Sequence, residues 1–456
     1  MTNLAREFTE LILGWPADDP VLIERCQLLL IDGIAVAAAG ASEPGPTHMA
    51  RLSQEELQGA GPATVIGHGF SAPPAIAARI NGMSMHVLDY EPMWNPPNHA
   101  VSTLLPALLA LAEQREHASG EPQGEALLRA FAKGIEAQGR LRLSSAQIEP
   151  AQLSLHPPGV VGPLAAALAC AELLGLDASS ATAALGIAAS RCGGVMANIG
   201  SQTKALHCGD AAAHGLEAAL LARRGFTASP DALGGPRGWG HAYFGDGFTI
   251  APLLAPLGAG RALEPGPSWK LFPSQFATHF GIAAALDARA QIEASSRFGA
   301  HDIARIELHA PAMAYIDRAH PKTGLDGKFS WQYTATIALL DGKVEPASFT
   351  DQRRFADDTQ ALLDRFTLRA DPGISGALDK MHVEIAVHLQ DGRIVTSRCD
   401  APPGSWSRPV GAEAVTKKAR DLLENALGRE RAEHTLKSAT QPAPLLSVRT
   451  LMACLR

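Results

Sequence analysis

The chain has 456 residues, of which 46% are apolar and 19% charged. That is enough apolar material for two or three domains, and it excludes a disordered or low-complexity protein. The net charge of −7 comes without any long basic run. No nucleic-acid partner is therefore expected, and an anion site has to be made by a few local cations.

Alanine and leucine dominate and aromatics are only 5%, a composition that favours helices. The cysteines at 26, 170, 192, 208, 399 and 454 form no CxxC pair. Reduced thiols in a cytoplasmic protein are the expectation. The opening MTNLAREFTELILGW mixes acids with apolar residues and lacks a basic n-region, so it does not read as a signal peptide.

In chain order, Ala5, Phe8, Leu11 and Ile12 recur at helical spacing, and Val21–Ala39 is a richer apolar helix closed by Gly40. Thr64–Gly67 reads as a short strand or connector. Ala75–Asp89 is a helix begun after the Pro73-Pro74 pair, with Gly82 inside it, and Val101–Glu113 and Gly124–Ala137 follow as amphipathic helices. The pattern breaks between 140 and 158. There Gln152-Leu153-Ser154-Leu155-His156-Pro157-Pro158 reads as loop, because successive prolines lack the N–H groups of a helix interior. Val160–Leu174 is apolar on nearly every face, and Pro163 and Glu172 interrupt the longer apolar stretch Gly159–Gly175. It reads as a buried core helix and not a membrane span. Asp177 suits the cap of Ala178–Ala189, and Ala211–Arg224 is helical. Residues 226–268 are rich in Gly and Pro and read as connectors. Beyond them Phe276–Glu293 reads as a helix and Ile303–His309 alternates like a strand. Met381–Leu389 and Arg393–Arg398 form a hairpin about Asp391-Gly392. Residues 410–436 return to helix. The pattern predicts a mainly α protein. A large all-helical domain comes from 1–268 and 403–456, with a smaller α/β lid domain inserted at 269–402 near the C-terminal third. A cleft between two such domains favours a small-molecule site.

Four segments carry residues suited to chemistry, although each alone also suits a structural role. Asn81–His99 (NGMSMHVLDYEPMWNPPNH) ends a helix near Asp89 and runs through a proline-broken loop to His99. A rigid loop can hold a carboxylate beside an imidazole that titrates near neutrality, with Asp89 fixing the tautomer of His99. His156 precedes the buried helix, whose N-terminal end favours anions. Lys204 and His207 stand three apart on a helical, Gly- and Ala-rich stretch, where a buried lysine would clamp a carboxylate. Cys208 adjoins His207, but adjacent helical residues do not face each other, which argues against a thiol nucleophile. Lys270, in Trp269-Lys270-Leu271-Phe272-Pro273 with His279 after it, sits at the domain junction. No HExxH and no Cys/His cluster is visible, so a metal site is not expected. Gly258-Ala259-Gly260 is too short for a dinucleotide fingerprint.

Together these segments resemble the MmgE/PrpD family. The fragments that carry the likeness include Asp32-Gly33, Arg79-Ile80-Asn81-Gly82, Leu88-Asp89-Tyr90 and His156-Pro157. They continue through Leu174-Gly175-Leu176-Asp177, Leu185-Gly186-Ile187-Ala188, Lys204 to Gly215, Gly225-Phe226 and Lys270-Leu271-Phe272-Pro273. The resemblance implies a homodimer with a helical domain and an α/β lid, acting on a small polycarboxylate without cofactor or metal. It also implies active-site roles for Asp89, His99, His156, Lys204 and Lys270, with Tyr315 matching a lid tyrosine; Met93 and His207 are expected to contact substrate beside them. In members using tricarboxylates, the residues after this aspartate typically include a Thr-Trp pair. Here Glu91-Pro92-Met93-Trp94 puts a thioether where a hydroxyl donates and a proline where a backbone N–H stands. That departure points to fewer carboxylates, or to another group at that end. Dehydration of a hydroxy di- or tricarboxylate is the first expectation, ahead of epimerisation of a dicarboxylate and then decarboxylation. A catalytically silent binding or scaffold protein is the non-enzymatic alternative.

Overall fold

The computed structural model describes residues 3–56, 60–147, 153–294 and 298–456; Gln152 of the predicted loop lies outside them. The apolar residues form two cores. The first takes residues from Ala5 to Trp269 and again from Val415 to Leu455. The second is built from residues 276–399 together with Met93 and Ile199. The protein is thus mainly α with an α/β unit towards the C-terminus, as its pattern predicts.

Helix ends follow local chemistry. Asp19 Oδ1 accepts from Val21 N at 2.8 Å and starts Pro20–Gly40. Asp177 Oδ1 accepts from Ser180 N at 2.7 Å and starts Ala178–Ala189. The central helix Pro157–Leu174 opens on two prolines, where a missing N–H costs nothing, and ends at Gly175 with φ 66°. By length and composition it could cross a membrane. It is enclosed instead by the helices Val101–Ser119, Gly124–Ser144, Ala178–Ala189 and Thr203–Ala222.

The sheet has the order Phe366–Asp371, Ile303–Pro311, Val383–Leu389, Ile394–Cys399; the first pair is parallel and the others antiparallel. Helices Thr278–Glu293 and Trp331–Asp341 pack on it. The chain then returns through Ala412–Leu427, which lies against Pro20–Gly40.

Several elements differ from the sequence expectation, and three of them have a clear physical reason. The helix begun at Gly124 continues to Ser144. Its polar end is buried, with Arg140 donating to Leu253 O at 3.1 Å and Arg142 to Pro97 O at 3.0 Å. Buried arginines bonded to carbonyls erase the amphipathic period. The helix read from Ala211 starts at Thr203. The strand Phe366–Asp371 went unread because its side chains are mostly exposed at the sheet edge.

Candidate active site

Two helices set the geometry. Pro74–Val87 and Thr203–Ala222 touch where Gly82 meets Gly209: a Cβ on Gly82 would lie 2.8 Å from Gly209 Cα. Arg79 adds an ion pair to Asp210 at 2.7 Å. Asn81 donates to Thr64 O and accepts from Ile66 N, both at 2.9 Å. This contact brings the last turn of one helix beside the first turn of the other.

Just past that last turn, Asp89 adopts φ 51°, the left-handed region usually left to glycine. The twist turns its carboxylate towards Lys204 Nζ, 2.6 Å away on the neighbouring helix. Lys270 contacts the other carboxylate oxygen and donates to Asp89 O at 3.0 Å. All three side chains are buried. Burial alone would push the Asp89 pKa up, but the two ammonium groups hold it well below the usual carboxylate range. Burial lowers the Lys270 pKa, against the pull of Asp89. Lys270 reaches this point because its segment is pinned on both sides. Ser268 and Met93 exchange backbone hydrogen bonds at 2.7 and 3.1 Å, and Trp269 N donates to Gly404 O at 2.9 Å.

The imidazoles lie alongside. His156 starts the central helix and is fixed by its N–H to Gly194 O at 2.9 Å. His99 precedes Val101–Ser119, and the two rings are 6.5 Å apart. One buried pocket is lined by Asp89, His99, His156, Lys204 and Lys270, together with Met93 and Tyr315. Tyr315 Oη accepts from Gln275 at 2.7 Å. The rest of the lining is largely apolar: Leu153, Met196, Ile199, Phe276 and Phe329. Lysine carries three donors. Asp89 takes one from Lys204 and two from Lys270, so donors remain for a substrate carboxylate.

Three expectations are corrected. His99 is not oriented by Asp89, which is engaged by the two lysines; its Nδ1 instead lies 3.2 Å from Glu91 Oε1. His207 does not line the pocket. One turn on from Lys204, it packs against Gly194 and stands behind His156, with the two Nδ1 atoms 3.2 Å apart. Folding also makes clusters that local spacing does not announce. The ligand atoms of His86, Glu91 and His99, and those of His86, His156 and Cys208, lie within 4.8 Å of one another. The second set needs an ionised Cys208, whereas burial pushes that thiol's pKa up.

Sequence reasoning missed His86 and Glu91. Both are wholly buried, with His86 Nδ1 2.5 Å from Glu91 Oε1. Burial drives the His86 pKa down to about 4, and it lowers those of His99 and His156 as well. The rings are therefore neutral at neutral pH, and Glu91 is the anion between two of them. The available signal was the pair of ionisable residues flanking Asp89 in one short segment.

The family's N-terminal domain matches residues 6–251 and its C-terminal domain residues 272–441. The chain belongs to the MmgE/PrpD family. Among its relatives, cis-aconitate decarboxylase of Mus musculus is 32% identical over 415 residues, covering 90% of this chain and 84% of that protein. The Homo sapiens cis-aconitate decarboxylase is 34% identical, covering 80% and 76%. The 2-methylcitrate dehydratase of Cupriavidus necator is 26% identical, covering 69% and 66%. Several fragments that carry this kinship are structural: Asp32 meets Lys418 at 2.9 Å, and Arg79, Asn81 and Gly82 make the helix contact described above.

Proposed function

We propose that this protein is a lyase acting on a small polycarboxylate. Decarboxylation of a cis-aconitate-like acid is the first reading, and dehydration of a hydroxy di- or tricarboxylate the second. The observation that carries it is the convergence of Lys204, Lys270, His99 and His156 on one buried pocket. The ammonium groups grip carboxylates and stabilise the negative charge that builds as a C–CO₂ or C–H bond breaks. For a β,γ-unsaturated carboxylate, the electron pair of the breaking C–CO₂ bond enters the alkene. A proton from His99 is then taken up at the far carbon, so one CO₂ leaves and one proton is consumed. The arriving substrate supplies negative charge beside His99 and raises its pKa, which loads the ring for that transfer.

The order differs from the expectation drawn from sequence, where dehydration stood first. The names of the mammalian relatives support decarboxylation. Dehydration is favoured by the second imidazole, His156, 6.5 Å from His99 between ring centres, an arrangement that offers an acid and a base at once. Met93 and the apolar lining suit a substrate with no carboxylate on that side.

The test is incubation with cis-aconitate and with hydroxy di- and tricarboxylates in D₂O, followed by proton NMR. Decarboxylation gives a product one carboxylate short that carries one deuterium. Dehydration gives an alkene, and epimerisation shows as deuterium entering the substrate's acidic carbon with no change of constitution. His99→Gln should lower the rate by about 10²–10⁴ while the fold persists. Absence of turnover, exchange and ligand-induced thermal shift across the panel would leave a silent binding protein.

A further inference from the structure

Glu91 is a wholly buried carboxylate next to His99 that the reaction scheme above does not use. Its Oε1 gathers three groups: His86 Nδ1 at 2.5 Å, Ser102 Oγ at 2.9 Å and His99 Nδ1 at 3.2 Å. The His99 contact is close but misaligned, so that neither His99 Nδ1 nor Glu91 Oε2 has a hydrogen-bond partner among the described residues. No lysine or arginine pairs with Glu91 among the described residues, and its nearest ionisable neighbours are the two imidazoles. The preceding residue, Tyr90, is anchored through both its carbonyl and its hydroxyl. Lys418 donates to Tyr90 O at 2.7 Å, and Tyr90 Oη donates to Leu271 O at 3.0 Å. Such anchoring is out of proportion to a loop residue that merely fills space.

We propose that Glu91 is the positioning residue of His99. It holds the ring through Nδ1–H, with His86 and Ser102 fixing the carboxylate, and leaves Nε2 to exchange the proton with substrate. This rests on the reading of His99 as the proton-transfer group. A carboxylate behind an imidazole fixes its tautomer and stabilises its charged form as the ring takes up a proton. The other charged and titratable groups about His99 are Asp89, Lys270, His86 and His156. Asp89 sets one negative charge against two ammonium groups, so that triad leaves an excess of positive charge, and both histidines are neutral. Glu91 is the main charge that raises the His99 pKa, against the lowering by burial and by Lys270.

The experiment reads His99 directly. Protein labelled with ¹⁵N-histidine and free of substrate is titrated by NMR, with the His99 signals assigned by their loss in His99→Gln. The neutral ring should carry its proton on Nδ1. In Glu91→Gln the isosteric amide keeps the shape and loses the charge, so the His99 midpoint should fall by about one unit or more. Glu91→Asp, which retracts the charge by one methylene, should fall between that variant and the wild type. If only the aspartate variant folds, its lowered midpoint carries the test. With cis-aconitate, Glu91→Gln should lower kcat by about 10- to 100-fold at nearly constant KM and move the His99-dependent limb of the pH profile to lower pH. A wild-type ring protonated on Nε2, or a midpoint unmoved in the folded variants, overturns the positioning role. A shifted midpoint in a protein that turns over no carboxylate retains the Glu91–His99 coupling and refutes the lyase reading.

Discussion

Asp89 sits in a backbone conformation that costs a non-glycine residue roughly 1–2 kcal/mol, and it repays this by separating two buried ammonium groups. Removing one partner of a buried ion pair typically costs about 3–5 kcal/mol, because a charge stays behind without compensation. Asp89→Asn preserves tolerance of the left-handed region while deleting the charge. Its unfolding free energy in urea should drop by an amount of that order. Millimolar cis-aconitate should restore part of the loss, since a substrate carboxylate supplies the missing counter-charge beside Lys204 and Lys270. Stability equal to the wild type would mean that the aspartate is not the lysines' counter-charge. His99 lies outside this triad. His99 and the two lysines therefore have separate carboxylate neighbours, Glu91 and Asp89.

At the scale of elements, the pocket depends on how closely the helices Pro74–Val87 and Thr203–Ala222 approach. A Cβ on Gly209 would collide with Arg79 O in the facing helix and lie 2.8 Å from Met83 Cγ. Gly209→Ala should thus force the helices apart at a cost of about 1–3 kcal/mol, although alanine is the better helix former. Because Lys204 lies on the moved helix, the expected signature is a raised KM together with a lowered Tm, measured by steady-state kinetics and thermal melts. A gain in stability would show that the Gly–Gly contact is not tight. This contact also explains what the sequence could and could not disclose. Helical periodicity located both helices, and Gly82 was visible inside one of them, but nothing local says that it meets Gly209. Asp89, His99, His156, Lys204 and Lys270 were legible as suitable residue types in order. The partnership of His99 with Glu91 was not, because the alternative partner, Asp89, is equally near in the chain. His207 was misassigned for a similar reason: a shared helix face with Lys204 says nothing about which neighbour covers it. The edge strand Phe366–Asp371 has too few buried side chains to show the alternation that revealed Ile303–Pro311.

At the scale of the molecule, the pocket lies where the two cores meet, since Met93 and Ile199 belong to the second core while their segments come from the first half of the chain. Placing ionisable groups at such a junction makes the whole fold sensitive to acid. Burial lowers the pKa of His86 to about 4 and of His279 to about 3, and it lowers those of His99 and His156. For a histidine whose pKa is lower when folded, the unfolded chain binds more protons from its own pKa near 6.5 down to the folded value. Stability is therefore intact above about pH 6.5 and falls as the pH drops towards 4. The His86 shift alone corresponds to about 3 kcal/mol, a sizeable part of the ~5–15 kcal/mol typical of a folded domain. Asp89 and Glu91, held low when folded, add losses of the same sign below the ordinary carboxylate range. The buried lysines do not oppose this on the alkaline side. The Lys328 pKa is lowered to about 8, so deprotonation favours the folded state from there upwards. Urea unfolding at successive pH values should show a slope of about 3 kcal/mol per pH unit between 6 and 5, the equivalent of two or more protons. A slope below one proton would mean that these rings are not buried in their neutral form, and with it the neutral resting state of His99 would fall.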